Sequence, residues 1–388
     1  MRAARRALPE NVRTLSWVSF ANDLASELLY PILPLFLTVT LGAPVAVVGL
    51  VEGIAEGAAV GLRGAAGWLS DRWGGRRVAW IRSGYGLTAA SRPILAAAPA
   101  WGWVLGARLV DKAGKATRTA PRDALIRAST PGALVGSAFG YHRAFDTAGA
   151  VGGPLVAVGL LALGASLRTV LWVAAVAGAL TLVLLVRIRE APAAEGPTET
   201  VERAERLPRG FWVVLSVWVV FSLGNSSDVF VLLRASDLGL SATLVVLAYA
   251  LYNVVYSGLS WPLGALSDRV PRTRVLGAGL ATFALVYAGL AVASASWAVW
   301  PLLAIYGMFV AATEGVARAW VADHAPPRAL GTAFGVFSAA TGAALLVASV
   351  TAGLLWSAVG PSAPFWLGAG AASAALALLA VTSRLGRT

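Results

Sequence analysis

The chain contains no cysteine, only two histidines and only two methionines in 388 residues. Without thiols there are no disulfides, no thiolate metal sites and no cysteine nucleophile. No Ser-His-Asp spacing, metal-ligand cluster or phosphate-cradling loop appears either. The expectation is therefore a protein that is not an enzyme and that holds no metal and no cofactor. Charge is scarce as well: Asp, Glu, Lys and Arg make up 13% of the residues, against about 25% in an ordinary soluble domain.

Apolar residues fill the gap. They account for 58% of the chain, and mean hydropathy is +0.73. A helix that crosses a bilayer needs roughly 20 apolar residues. Runs of that length lie near 15–39, 45–66, 78–97, 101–120, 134–163, 167–187, 211–233, 242–263, 275–294, 299–320, 332–356 and 362–382. The chain thus reads as an all-α integral membrane protein with about twelve transmembrane helices. The one long polar insertion, 188–209, is rich in charge, Pro and Ala, and divides the chain into 1–187 and 210–388 as two six-helix bundles.

A net charge of +12 could suggest nucleic acid, but its distribution argues for a membrane. Arginines crowd the start (Arg2, Arg5, Arg6, Arg13), the second loop (Arg72, Arg76, Arg77, Arg82) and the fourth (Arg118, Arg122, Arg127). They recur in the sixth (Arg187, Arg189, Arg203, Arg206, Arg209), the eighth (Arg269, Arg272, Arg274) and the tail (Arg384, Arg387). The odd-numbered loops offer only Arg168 and Arg234. This is the positive-inside bias, so both termini are expected in the cytoplasm, in the inner (plasma) membrane, with no nucleic-acid partner.

The most informative stretch is duplicated. Residues 67–77 read GWLSDRWGGRR and residues 264–274 read GALSDRVPRTR. Each falls directly between two apolar runs, where a charged hinge must lie in water or headgroups. The segment resembles the loop signature of the major facilitator superfamily of secondary transporters, Gly-x-x-x-Asp-Arg/Lys-x-Gly-Arg-Arg/Lys. Gly67, Asp71, Arg72, Gly74 and Arg76 match it, and Gly75 stands where an Arg is usual. The copy keeps Gly264, Asp268, Arg269 and Arg272, with Pro271 for the Gly. Arg108 and Gly114 are similar to the family's fourth-helix motif Arg-x-x-Gln-Gly-x-Gly, with Asp111 and Lys112 as departures. Gly149, Gly153 and Pro154 resemble the fifth-helix motif of antiporters, without its second Gly pair. The Ala120–124 element APRDA and the repeated AFG (138–140, 333–335) resemble a prokaryotic branch of the superfamily.

The resemblance implies two pseudo-symmetric six-helix bundles (the MFS fold) around a midplane cavity, exposed alternately to either side. It implies a gating role for Asp71, Arg72, Arg76, Asp268 and Arg269. Asp71 is expected at the amino end of the eleventh span and Asp268 at that of the fifth, because helix amino termini favour anions. For Arg108 it implies a part in proton transfer or cavity charge.

Ionisable residues inside the spans mark candidate sites by themselves. Asp23 and Glu27 are four apart on the first span, so they share a face, with Pro31 and Pro34 beyond them. Glu52 and Glu56 repeat the spacing on the second span. The fourth span carries a stripe at Arg108, Asp111, Lys112, Lys115 and Arg118, and Pro121 is expected to end that helix. Arg143 and Asp146 lie on the fifth span. In the second half, Asn225 and Asp228 answer the acidic patch of the first span, and Tyr249, Tyr252, Asn253 and Tyr256 line one face of the eighth. Glu314 and Arg318, four apart on the tenth, form a candidate inner gate pair. Each of these also has a plainer reading, as structural ion pairs or headgroup anchors.

The expected function is alternating-access secondary transport: proton-coupled export, as by an antiporter, of a small organic solute or drug-like compound by a monomer. Asp23, Glu27 or Glu56 would carry the proton, and the proton gradient would supply the energy. The alternatives are uptake or exchange of an organic anion held by Arg108, Lys112, Lys115 or Arg143, and a membrane sensor or scaffold without transport.

Overall fold

Runs of Leu, Val and Ala without water to solvate a bare backbone leave the helix as the economical structure, because it satisfies its own N–H and C=O groups. The computed structural model is 86% helical, with no strand among the described residues. It describes residues 8–29, 32–33, 36–43, 47, 51, 54–55, 62, 66, 68–72, 76–191, 207–240 and 242–385. Pro31, Pro34, Glu52, Glu56, Gly67, Gly74 and residues 192–206 of the expected linker lie outside them.

Helix α1 (Glu10–Leu29) is followed by a π turn (Phe36–Thr40), α2 (Arg77–Ala97), α3 (Trp101–Ser129), α4 (Val135–Ala162) and α5 (Leu167–Leu185). The second half contains α6 (Arg209–Ser222), α7 (Val229–Asp237), α8 (Ala242–Ser267), α9 (Arg272–Val292), α10 (Val299–Asp323), α11 (Leu330–Ala358) and α12 (Ala363–Leu385). Among the described residues six stretches are long and apolar enough to cross a membrane: Gly132–Ala162, Leu167–Leu185, Arg272–Val292, Ser296–Asp323, Pro327–Trp356 and Ala363–Thr382. Helices α1 and α3 are long enough too, but carry charged faces.

Residues group into two compact units. One comprises Met1–Pro131, Phe145–Arg206 and Pro326–Val336; the other comprises Gly132–Ala144, Leu207–Ala325 and Phe337–Thr388. Chain order and unit therefore part company at two places, the starts of α4 and α11. Within the first unit α2 packs on α3 and α5, and α1 on α5. Within the second, α9 packs on α10 and α12, and α6 on α12. The pairings are equivalent, helix for helix.

Close packing depends on missing side chains. A Cβ on Gly84 would come within 2.7 Å of the Gly114 carbonyl, and one on Gly114 within 2.5 Å of the Gly84 carbonyl. Helices α2 and α3 thus touch backbone to backbone, the approach that small residues permit in membranes. Gly149 and Gly153 do the same against Phe20 and Leu24 of α1, so the glycines of the fifth-helix motif are contact points within the first unit.

Three expectations are corrected. Pro121 does not end the fourth span: α3 runs through it to Ser129. A helix of 29 residues is about 43 Å long, beyond a hydrocarbon core of about 30 Å, and one lost N–H bond does not stop it. Nor are Arg118 and Arg122 simple headgroup anchors, since both are buried, Arg118 over the Tyr85 ring and on Thr88 Oγ1 at 2.6 Å. The seventh span, expected as one helix over 211–233, breaks between α6 and α7 at Leu-Gly-Asn-Ser-Ser-Asp. Gly is a poor helix former, and Asn, Ser and Asp side chains compete for the backbone.

The two arginines of the odd-numbered loops have a structural use. Arg168 donates to the Ala96 and Ala98 carbonyls at the end of α2, at 2.9 and 3.1 Å. Arg234 donates to the Leu290 and Ala293 carbonyls at the end of α9, at 3.0 and 2.8 Å. Both close helix carboxyl ends that lack intrahelical donors.

Candidate functional site

In the first unit the acidic face of α1 meets α4. Asp23 lies beside Asp146, and Ser19 Oγ donates to Asp146 Oδ1 at 2.5 Å. Asn22 Nδ2 donates to Asp23 Oδ1 at 3.0 Å. Asn22 is itself fixed by Arg92, whose Nη2 donates to its backbone oxygen and its Oδ1, both at 2.9 Å, and to Ser26 Oγ at 2.9 Å. Gly178 leaves the room for this guanidinium, since a Cβ there would lie 2.1 Å from Arg92 Nη1. Glu27, one turn further along α1, and the exposed Lys115 of α3 complete the group, and the lysine's charge acts on both Asp23 and Glu27.

Arg108, further along the stripe on α3, pairs with Asp111 at 3.1 Å. Both are therefore present in the same unit but committed to each other.

In the second unit Asp228 sits at the start of α7, beside the break. Tyr306 of α10 donates to its Oδ1 at 2.8 Å and Tyr252 of α8 approaches its Oδ2 at 3.4 Å. No Lys or Arg pairs with Asp228 among the described residues. Tyr252 touches Tyr249, Tyr256 and Tyr306 at ring-centroid separations of 5.5, 6.1 and 5.3 Å. Asn225 Oδ1 is buried with no donor among the described residues. Asn253 is buried and donates to the Tyr249 carbonyl of its own helix at 3.0 Å, so its amide braces α8.

Glu314 of α10 gathers two cations. Arg143 reaches it at 2.5 Å and Arg318 at 2.8 Å. The pair expected within α10 thus extends to α4.

The duplicated loop signature gives the same geometry twice. Asp71 accepts the Gly331 N–H at 3.1 Å, the Thr332 N–H at 2.5 Å and the Thr332 hydroxyl at 2.8 Å. Asp268 accepts the Gly136 N–H at 2.6 Å, the Ser137 N–H at 2.7 Å and the Ser137 hydroxyl at 2.7 Å. The free N–H groups and positive dipole end of a helix favour a carboxylate there. Arg272 braces Asp268 at 3.3 Å and Asp323 at 2.5 Å. Arg72 lies over the Trp68 ring at 5.1 Å, and Arg76 and Arg269 are exposed.

Three contributors escaped the reading by pattern. Tyr306 stands alone in an apolar run, and Ser19 and Arg92 are isolated polar residues. The hydroxyls of Ser137 and Thr332 did carry a signal, the repeated Gly-Ser/Thr-Ala-Phe-Gly at 136–140 and 331–335.

Apolar helices in two equivalent sets, a carboxylate at the amino end of both α4 and α11, and ionisable clusters on the helices describe a multi-pass membrane protein. The Major Facilitator Superfamily model matches residues 15–234 and 227–386, and the chain belongs to that family. An uncharacterized MFS-type transporter of Methanocaldococcus jannaschii is 34% identical over 374 residues, covering 94% of this chain and 92% of that protein. The crystal structure of the human organic anion transporter MFSD10 (TETRAN) superposes with a TM-score of 0.80 at 16% identity, covering 97% of this chain and 99% of that one. That of a bacterial homologue of the iron transporter ferroportin, in an outward-facing state, gives 0.78 at 14% identity, covering 97% and 100%. At such identities these structures share the fold.

Proposed function

We propose that this transporter works by alternating access and couples export of a small organic solute to proton entry. The observation that carries the reading is the juxtaposition of two acidic side chains, Asp23 held by Asn22 and Asp146 held by Ser19, with Glu27 and Lys115 beside them. A proton held between two carboxyls leaves when a cation approaches or when water opens to the lower-proton side, and solute and proton then exchange. Arg92 and Asn22 keep Asp23 in place for that step. The proton gradient is the energy source and no cofactor is needed. The inside-positive arginine pattern supports the plasma membrane with both termini in the cytoplasm. A single copy is the transport unit.

The organic-anion reading draws on the cationic stripe of α3. Arg108 is paired with Asp111 and Arg143 with Glu314, which leaves that reading weaker.

The test uses proteoliposomes loaded with a pH-sensitive dye and challenged with small organic solutes at two pH values. Wild type moves protons when a transported solute is added, and Asp23→Asn and Asp146→Asn do not. Solute-driven proton movement that survives both substitutions removes the proposed proton site.

A further inference from the structure

We propose that the Asp228–tyrosine cluster of the second unit binds an organic cation, a protonated amine or quaternary ammonium or phosphonium, and so defines the substrate class. The proposal rests on the transporter reading above and deepens it.

Three observations converge. First, Asp228 is a carboxylate at membrane depth with no cationic partner among the described residues. Its neighbour in charge is Glu314, also acidic, whose own balance is met by Arg143 and Arg318. A carboxylate offers about four lone-pair sites, and Tyr306 and Tyr252 occupy two of them. Capacity remains for a donor from a ligand.

Second, the walls are aromatic. Tyr252 and Tyr306 face each other at 5.3 Å, and Tyr249, exposed, ends the row. Ring faces attract cations and repel anions. The hydroxyls turn toward Asp228, which aims the carboxylate while leaving the rings as apolar walls.

Third, the backbone is broken there. Interrupted membrane helices place polar backbone and side chains where a solute is held. Asn225 Oδ1, buried without a donor, adds a second acceptor within the same break. A carboxylate and an amide oxygen that still have acceptor capacity match a positive ligand better than they match a carboxylate or phosphate.

The probe is tetraphenylphosphonium, which carries charge without a titratable proton, compared with tetraphenylborate of the same shape and opposite charge. Equilibrium binding to the full-length protein in nanodiscs is expected to favour tetraphenylphosphonium at least tenfold. Asp228→Asn should weaken it at least tenfold, Tyr306→Phe about threefold, and Asp228→Glu should restore part of the loss. Equal binding of the two ions, or unchanged affinity in a folded Asp228→Asn, overturns the assignment. If Asp228→Asn does not fold, Tyr252→Leu decides: weakening of threefold or more supports the site, and unchanged affinity overturns it. Proton movement on adding tetraphenylphosphonium is read in parallel. Binding without proton movement overturns the coupling and keeps this site, whereas proton-coupled flux of other solutes without phosphonium binding overturns the site and keeps the coupling.

Discussion

Asp268 holds Ser137 by two groups at once, its backbone N–H and its hydroxyl, each at 2.7 Å. Asp71 holds Thr332 in the same way. Hydrogen bonds to a charged group contribute about 1.5–3 kcal/mol each. Asn at either position keeps one oxygen acceptor but sets an N–H₂ against a second N–H. We expect Asp268→Asn to cost roughly 1–3 kcal/mol in thermal unfolding, and Ser137→Ala about 1 kcal/mol. As a gate, Asp71→Asn should also raise the labelling rate of a single introduced cysteine from the cytoplasmic side. An unchanged labelling rate would remove the gating role and leave a structural one.

Glu314 pairs with both Arg143 and Arg318. Replacing it with Gln leaves two partly buried cations facing each other. The expected loss is about 1 kcal/mol, because the Glu314 side chain is partly exposed and solvent screens both pairs. A double-mutant cycle with Arg143→Met checks this. If the two losses simply add, the residues are not coupled.

Gly114 gives a steric test. Gly114→Ala puts a methyl within 2.5 Å of the Gly84 carbonyl, and overpacking of that kind costs about 1–3 kcal/mol. Gly106, on the same helix, has nothing within 4 Å of its Cβ position. Gly106→Ala should be neutral or slightly stabilising, since Ala is the better helix former by about 1 kcal/mol. Equal melting temperatures for the two variants would contradict the close crossing of α2 and α3.

Arg92→Lys tests the bracing of Asn22. Lysine keeps the charge but has no planar fork to hold the Asn22 backbone, the Asn22 side chain and Ser26. Proton-coupled flux should fall severalfold with the melting temperature little changed. A variant with full flux would place Arg92 outside the coupling machinery.

How much of this was readable beforehand follows from the range of each interaction. The helical class and the family were legible because hydropathy and the duplicated GxLSDR signature are local patterns. Asp71 and Asp268 could be placed because a helix amino end attracts a carboxylate wherever it is. The partner of Asp23 could not: Asp146 lies on another helix, and no local spacing links the two. Tyr306 was hidden for the same reason. The break before Asp228 was written in Gly-Asn-Ser-Ser-Asp, but the flanking apolar residues outweighed it when the run was read as one span. Pro121 shows the opposite error, a local stop signal overridden by packing on both sides.

The central claim is that the two halves rock to open one side and then the other. With no native cysteine, spin labels can be placed at Ser83→Cys and Arg274→Cys, both exposed in the structure. Their distance distribution, measured by pulsed electron paramagnetic resonance in nanodiscs at two pH values, is the most direct test. The account predicts two populations whose ratio changes with pH and shifts further in Asp71→Asn. A single distance, unchanged by pH and by that substitution, would contradict it.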